Sequence, residues 1–286
     1  MTTISPYRSR RRRGAYLAAA SLSIGLLAAA PLTARAQEGA PPPPAAPQPP
    51  AAAKVSPEVK ALLGKMVAAH QKLNSYSARG DFSFAQGEAK QAQSFDITYE
   101  KPNKVRLTIT DAETKAVRTI ISDGKTLFDS SSEDKTTYRK VDAVPDANNI
   151  AGAFGISQVG LGLLPMIITD PQAADKVIPP TAENVKLGAD AKVGDVAVTT
   201  LSFTLNVGEK PTFTLMVGKE DNLLRKISIT GKSQGQDLVL SETFTSVKAD
   251  PKLEATTFVF TPAPGAKAIG EEGPSLPPTA TPPPAP

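Results

Sequence analysis

The feature that most constrains the fold is a period-two alternation of apolar and polar residues. In the first such segment Tyr76, Ala78, Gly80, Phe82 and Phe84 alternate with polar residues. Successive side chains of a β-strand point to opposite faces of the sheet, so this pattern predicts a strand with one buried face and one solvated face. A chain dominated by this pattern is predicted to fold around a sheet.

The same alternation returns in later segments, and turn-forming residues separate them. Asp123-Gly124 and Gln86-Gly87-Glu88 are typical of tight hairpin turns. Short turns join antiparallel neighbours, so we expect about ten strands in one large antiparallel sheet, strongly curved or partly closed. The apolar positions of the later strands are Phe95, Ile97, Tyr99, Val105, Leu107, Ile109, Leu201, Phe203, Leu205, Phe213, Leu215, Val217, Leu224, Ile227, Ile229, Leu238, Leu240, Phe258 and Phe260.

A helix is predicted immediately before the first strand. Ser56 is a good N-cap residue, and Pro57 suits the first helical position. Apolar residues then recur at helical spacing, so we expect this helix to cover the apolar face of the sheet. The residues that recur are Val59, Leu62, Leu63, Met66, Val67, His70 and Leu73.

Residues 146–168 interrupt the strand pattern with an apolar segment that contains four glycines. Glycine weakens a helix, so the order of such a segment has to come from burying its apolar side chains. We predict a helical or irregular lid over the apolar face of the sheet, and the alternative is a static plug that completes the core. The predicted lid residues are Ile150, Phe154, Ile156, Leu161 and Leu164.

The N-terminal region has the three parts of a secretory signal peptide. A basic run at residues 8–13 precedes a short apolar stretch at residues 15–32, and Ala34-Arg35-Ala36 supplies an A-x-A cleavage signal. We therefore predict that residues 1–36 are a signal peptide cleaved after Ala36 and that the protein is periplasmic. The general secretory route fits better than the twin-arginine route, and an uncleaved anchor is the alternative.

Two proline-rich stretches flank the remaining sequence. Residues 37–54 and residues 271–286 contain seven prolines each. Prolines at this density lock φ and remove backbone donors, so the first stretch is predicted to be a linker and the second a disordered tail. One domain of substantial size is expected at residues 55–270.

The charge and the absence of cysteine exclude several classes of function. Residues 1–36 hold six of the 32 basic residues and none of the 28 acidic ones, which leaves 26 basic against 28 acidic residues after cleavage. A nearly balanced charge gives no reason to expect a nucleic-acid partner. Without cysteine the chain has no disulfides, no thiol nucleophile and no site for lipid attachment at a cysteine.

One string matches a catalytic motif, but its context does not. Residues 231–235 read G-K-S-Q-G and so match the G-x-S-x-G pattern, although this string is predicted to join two strands rather than a strand and a helix. The single histidine, His70, precedes the serine and has no second histidine or cysteine with which to bind a metal. We expect no enzymatic activity, no cofactor and no metal.

Several strings together resemble the periplasmic outer-membrane lipoprotein carriers, the LolA-like family. They are Y-E-K-P-N at residues 99–103, S-D-G-K-T-L at 122–127 and F-V-F-T-P-A-P-G-A at 258–266. The resemblance implies an antiparallel half-barrel whose concave apolar face is covered by helices and, in the carriers, holds acyl chains. Lys101 and Phe128 depart from the arginine and tryptophan common in the carriers, and the sequence is most similar to uncharacterised predicted periplasmic proteins of this fold.

The resemblance and the alternation together predict a non-enzymatic, monomeric binding protein for lipid or for the acyl chains of a lipoprotein. A protein of the inner or outer membrane is a further expected partner. Two alternatives stay open, an envelope-stress sensor of the same fold and a scaffold without a ligand. The residues predicted to line the apolar cavity are Phe82, Phe84, Phe95, Ile97, Tyr99, Leu107, Ile109, Phe203, Leu205, Phe213 and Leu215.

Overall fold

A computed structural model describes residues 54–143 and 163–270. Within these residues the order of elements is one long helix, six strands, two short helices and seven further strands. The helices are α1 (Pro57–Lys72), α2 (Leu163–Thr169) and α3 (Ala173–Lys176). The strands are β1 (Ser75–Gln86), β2 (Ala89–Glu100), β3 (Lys104–Asp111), β4 (Val117–Asp123), β5 (Thr126–Ser131), β6 (Thr137–Asp142), β7 (Ala182–Leu187), β8 (Ala191–Val193), β9 (Val196–Leu205), β10 (Thr212–Gly218), β11 (Leu224–Ser233), β12 (Gln236–Ala249) and β13 (Lys267–Ile269).

All the described strands belong to one open sheet. Its order is β13-β6-β5-β4-β3-β2-β1-β12-β11-β10-β9-β7, with β8 paired to β9. Every pair is antiparallel except β13 with β6. The prediction of one large antiparallel sheet that is not fully closed into a barrel is confirmed, and the strand number is thirteen rather than about ten. The additional strands include β8 and β13, which have three residues each and are too short to show an alternation.

Helix α1 lies on one face of the sheet, which we call the inner face. It starts as predicted, because the Ser56 Oγ accepts a hydrogen bond from the Val59 amide at 3.4 Å and Pro57 occupies the first turn. Its apolar stripe is buried in a single core together with side chains of the strands and of α2 and α3. The buried residues of α1 are Val59, Leu63, Met66, Val67 and His70.

Gln71, near the C-terminal end of α1, forms hydrogen bonds with residues of the neighbouring elements. Its side-chain amide donates hydrogen bonds to the carbonyl oxygens of Ile167, at 3.2 Å, and Asp170, at 2.7 Å, which fixes α1 to the end of α2. Its own carbonyl accepts a hydrogen bond from the Lys101 Nζ at 2.6 Å. The lysine that departs from the carrier pattern therefore holds the C-terminal end of α1 against the β2–β3 turn.

The opposite, outer face is covered at one end by the C-terminal segment. Phe260 stacks on Phe128 with ring centroids 4.7 Å apart, and its ring lies 5.0 Å from that of Tyr138. The Arg106 Nη1 donates a hydrogen bond to the Thr257 carbonyl at 3.3 Å, and Phe258 is buried. The expectation that Phe258 and Phe260 form a strand is wrong, because these side chains cover the outer face and the backbone joins the sheet only at β13.

Candidate ligand-binding face

All eleven residues predicted to line the cavity lie on the inner face, but they differ in exposure. Seven are buried and four are half-buried, and only the half-buried side chains offer surface that a ligand can reach. The buried ones are Phe82, Phe95, Tyr99, Leu107, Phe203, Leu205 and Leu215. The half-buried ones are Phe84, Ile97, Ile109 and Phe213. Their role as a ligand site stays a prediction.

One row of apolar side chains crosses five neighbouring strands of the inner face. Successive members are directly opposite each other on β1, β12, β11, β10 and β9. We call this set the apolar row, and it consists of Phe84, Leu240, Ile229, Phe213 and Phe203. The first four are half-buried, and Phe203 is buried and stacks on Phe213 at 5.3 Å.

The next row along these strands is buried. It runs through Phe82, Glu242, Ile227, Leu215 and Leu201, and each of these residues is at most 5% exposed. The apolar row therefore marks the border between the core and the accessible part of the inner face. Leu240 and Ile229 were recognised as strand residues but not as site residues, because only the strand register shows that they lie beside Phe84 and Phe213.

Gly80 shapes the centre of the inner face. The Phe95 ring lies over it and meets Phe244 edge to face, with centroids 5.6 Å apart. A Cβ atom at position 80 would clash with this ring and with the Thr243 carbonyl oxygen. The absence of a side chain at position 80 therefore leaves the space that the Phe95 ring occupies over β1.

Of the five predicted lid residues, only Leu164 belongs to the described part of the chain. It lies in α2 and is 1% exposed, within the same core as α1. The other four, Ile150, Phe154, Ile156 and Leu161, lie outside the described residues. The lid therefore stays a prediction.

A small buried polar group lies between α1 and the sheet. The His70 Nδ1 donates to the Met66 carbonyl at 2.8 Å, and the Nε2 accepts the Leu224 amide at 3.5 Å. Burial lowers the pKa of His70 to about 4, so the ring is neutral near pH 7. The prediction that this histidine borders the buried side of the helix agrees with its 1% exposure.

Tyr76 and Arg225 complete this group. The Tyr76 ring is 6.0 Å from the His70 ring, and burial raises the pKa of its hydroxyl. Arg225 is 6% exposed and pairs with Asp221. These groups sit within the core rather than along the apolar row, so we interpret them as structural.

The geometry offers little for catalysis within the described residues. The G-x-S-x-G string forms the end of β11 and the Gln234-Gly235 turn that leads into the hairpin partner β12, as predicted, so Ser233 is not at a strand-to-helix turn. No group of three or more histidine, cysteine or acidic residues in residues 54–143 and 163–270 could hold a metal. A hollow of about 340 Å³ is lined by residues of β1, β2, β3 and the β3–β4 turn, including Asp81, Phe82 and Lys115.

None of the helices in the described part of the chain is long and apolar enough to cross a membrane. The element that comes nearest in length, α1, has 16 residues and carries exposed lysines. It is amphipathic, and its apolar side is used for packing on the sheet.

Comparisons with solved structures return proteins of low sequence identity. MucB of Pseudomonas aeruginosa in complex with MucA gives a TM-score of 0.41 at 14% identity, over 77% of this chain and 67% of that chain. This chain covers 64% of MucB solved alone, which is less than two thirds of its length. The lipoprotein LppX of Mycobacterium tuberculosis gives a TM-score of 0.44 at 10% identity, over 70% of this chain and 99% of LppX.

A LolA superfamily protein of Nitrosomonas europaea gives a TM-score of 0.34 at 10% identity, over 71% of this chain and 97% of that one. No curated protein matches the sequence. The family described as "Predicted periplasmic protein (DUF2092)" matches residues 60–270, which include most of α1 and the whole sheet. The chain therefore belongs to the DUF2092 family of predicted periplasmic proteins.

Proposed function

We propose that this protein is a non-enzymatic periplasmic binding protein that holds an acyl chain, of a lipid or of a lipoprotein, against the inner face of its sheet. The observation that supports this proposal is the apolar row, in which Phe84, Leu240, Ile229 and Phe213 stay half-buried. They lie in register rather than scattered over the surface.

The length of the apolar row suits an acyl chain. Five neighbouring strands at about 4.8 Å spacing extend over about 19 Å from the first to the fifth. A long saturated chain in its extended form is comparable with this length. A chain lying across the strands would contact each of the five side chains in turn, and its burial would remove their remaining apolar surface from water.

The neighbouring core explains why only this part of the face is available. The buried row through Phe82 and Leu215 is closed by packing, so a ligand there would have to displace core side chains. A ligand on the apolar row meets surface that is already partly solvated. Binding sites of this kind are apolar and largely formed before the ligand arrives.

The test compares two neighbouring residues of β12 that face opposite sides of the sheet. Leu240 belongs to the apolar row, whereas Val239 is 47% exposed and pairs with Thr230 on the outer face. The folded protein is titrated with a fluorescent fatty acid, which is then displaced by laurate or by a synthetic lipopeptide. We expect Leu240→Asn to weaken binding severalfold and Val239→Asn to leave it unchanged.

Two outcomes would contradict the proposal. Folded protein that does not bind the fluorescent fatty acid would favour a scaffold without a ligand. Equal effects of Leu240→Asn and Val239→Asn would show that binding does not involve the inner face. Mass spectrometry of protein purified from its native envelope would then identify any lipid that remains bound.

Export is the second part of the proposal. The basic run, the short apolar stretch and the Ala34-Arg35-Ala36 string support cleavage after Ala36. We expect N-terminal sequencing of the envelope protein to begin at Gln37. A sequence that begins at Met1 or Thr2 would show that the segment is retained.

A further inference from the structure

Two arginines interrupt the apolar inner face at its β4–β6 end. Arg118 alternates with the buried Ile120 on β4, and Arg139 alternates with Val141, which packs against the core, on β6. Alternation along each strand therefore places both arginines on the inner face. Charged side chains are costly on a largely apolar face, so their presence there requires an explanation.

The two arginines flank a single carboxylate. The Arg118 Nε and Nη2 donate to the two carboxylate oxygens of Asp129 at 3.0 and 2.7 Å. Arg139 is directly opposite Asp129 in the β5–β6 ladder. Asp129 thus lies between Arg118, with which it forms an ion pair, and Arg139 on the next strand.

Two other acidic residues of the described inner face, Asp111 and Glu242, are either engaged elsewhere or distant from this group. Asp111, at the end of β3, uses its carboxylate to accept the amides of Glu113 and Thr114, at 3.0 and 2.8 Å. Lys115 lies in the same turn and helps to lower the pKa of Asp111. Glu242 is on β12, four strands away from β4, which corresponds to about 19 Å.

Accessible apolar surface begins next to Arg118. Ile109 is its direct neighbour on β3, and Phe95 is the neighbour of Ile109 on β2. Ile109 is half-buried, and the Arg118 side chain is 39% exposed. A cationic group that solvent reaches therefore lies beside the apolar surface proposed to take the acyl chain.

We propose that the inner face selects amphiphiles with an anionic group at the end of the acyl chain, and that Arg118 and Arg139 receive that group. This inference rests on the proposed function, because it concerns the same face. A guanidinium suits a carboxylate or a phosphate, since it can donate two parallel hydrogen bonds to either. The acyl chain then runs from Ile109 across the sheet towards the apolar row.

The experiment uses three ligands with the same twelve-carbon chain. They are laurate, with a carboxylate; lauroyl lysophosphatidic acid, with a phosphate; and monolaurin, which is uncharged. Each displaces the same fluorescent fatty acid from the full-length mature protein. We expect both anionic ligands to bind about threefold to tenfold more tightly than monolaurin, with a preference that falls as salt is added.

Four variants identify the residues responsible. Arg118→Gln and Arg139→Gln are each expected to reduce the preference for the anionic ligands while monolaurin binding stays unchanged. Arg79→Gln is the matched control, because Arg79 also pairs across strands, with Asp96, but its side chain is 75% exposed on the outer face. Asp129→Asn removes the intervening negative charge and should increase the preference.

The outcomes separate this inference from the proposed function. If none of the three ligands binds, the proposed function itself fails. If monolaurin binds as tightly as both anionic ligands, or the preference survives in both arginine variants, the inner face binds acyl chains but this inference is wrong. A preference for only one anionic ligand would support the inference and show which source of negative charge, carboxylate or phosphate, is recognised.

Discussion

Part of the stability that the protein loses when the pH falls towards 4 should come from His70. It is the only histidine of the chain and is 1% exposed between α1 and the sheet. Its Nδ1 already donates to the Met66 carbonyl, so a second proton must go to the Nε2, which faces the Leu224 amide. Protonation would therefore place the new Nε2–H of His70 against the N–H of Leu224, so that two hydrogen-bond donors face each other. It would also place a positive charge in the core.

The magnitude follows from the pKa. The pKa of His70 is lowered from 6.5 to about 4, mainly by burial of the ring. The hydrogen bond to the Met66 carbonyl raises this pKa, the charge of Arg225 lowers it, and the charge of Asp221 raises it. The unfolded chain then binds the proton more readily than the folded one. This contribution to stability is complete above pH 6.5 and is lost as the pH falls towards 4. The difference corresponds to about 3 kcal/mol at pH 4.

Urea unfolding at several pH values measures this effect, with His70→Gln as the comparison. Carboxylates titrate in both proteins, so the difference between the two curves isolates His70. We expect the free energy of unfolding of the wild type to fall by about 3 kcal/mol more than that of His70→Gln between pH 7 and pH 4. Parallel curves, or an NMR titration midpoint of the His70 ring near 6.5, would refute the reasoning.

Three further changes test the packing. Gly80→Ala should destabilise the protein by about 1 to 3 kcal/mol, because its Cβ would clash with a strand carbonyl and an aromatic ring, whereas Gly64→Ala on α1 meets open space and should stabilise it by up to about 1 kcal/mol. Phe260→Ala should cost about 1 to 3 kcal/mol by uncovering the outer face, and the exposed Val259→Ala should cost little. Leu107→Asn should cost more than about 3 kcal/mol, because a 2% exposed position loses its packing and buries an amide. Chemical denaturation measures the free energy of unfolding of all five variants. The packing described would be contradicted if Gly80→Ala were as stable as Gly64→Ala, if Phe260→Ala did not change the stability, or if Leu107→Asn lowered it only slightly.

Local sequence was sufficient to predict α1, most of the strands and the class of fold. Ser56 and Pro57 mark the start of α1, and the alternation from Tyr76 to Phe84 marks β1, because capping and side-chain periodicity act over a few residues. The Gln234-Gly235 turn was likewise readable as a hairpin. The absence of alternation in segments of three residues explains why β8 and β13 were missed.

The site depended on tertiary structure. Sequence periodicity shows that Leu107 and Phe84 share a face, but only the position of α1 decides that Leu107 is core and that Phe84 keeps exposed surface. Strand register between residues more than one hundred positions apart aligns Phe84 with Leu240. The packing of Phe260 on the outer face also depends on tertiary structure, because the sequence does not indicate which surface Phe258 and Phe260 cover. Alternation along the chain therefore determined which residues could face the core, while the pairing of distant strands and the placement of one helix decided which of them remain available to a ligand.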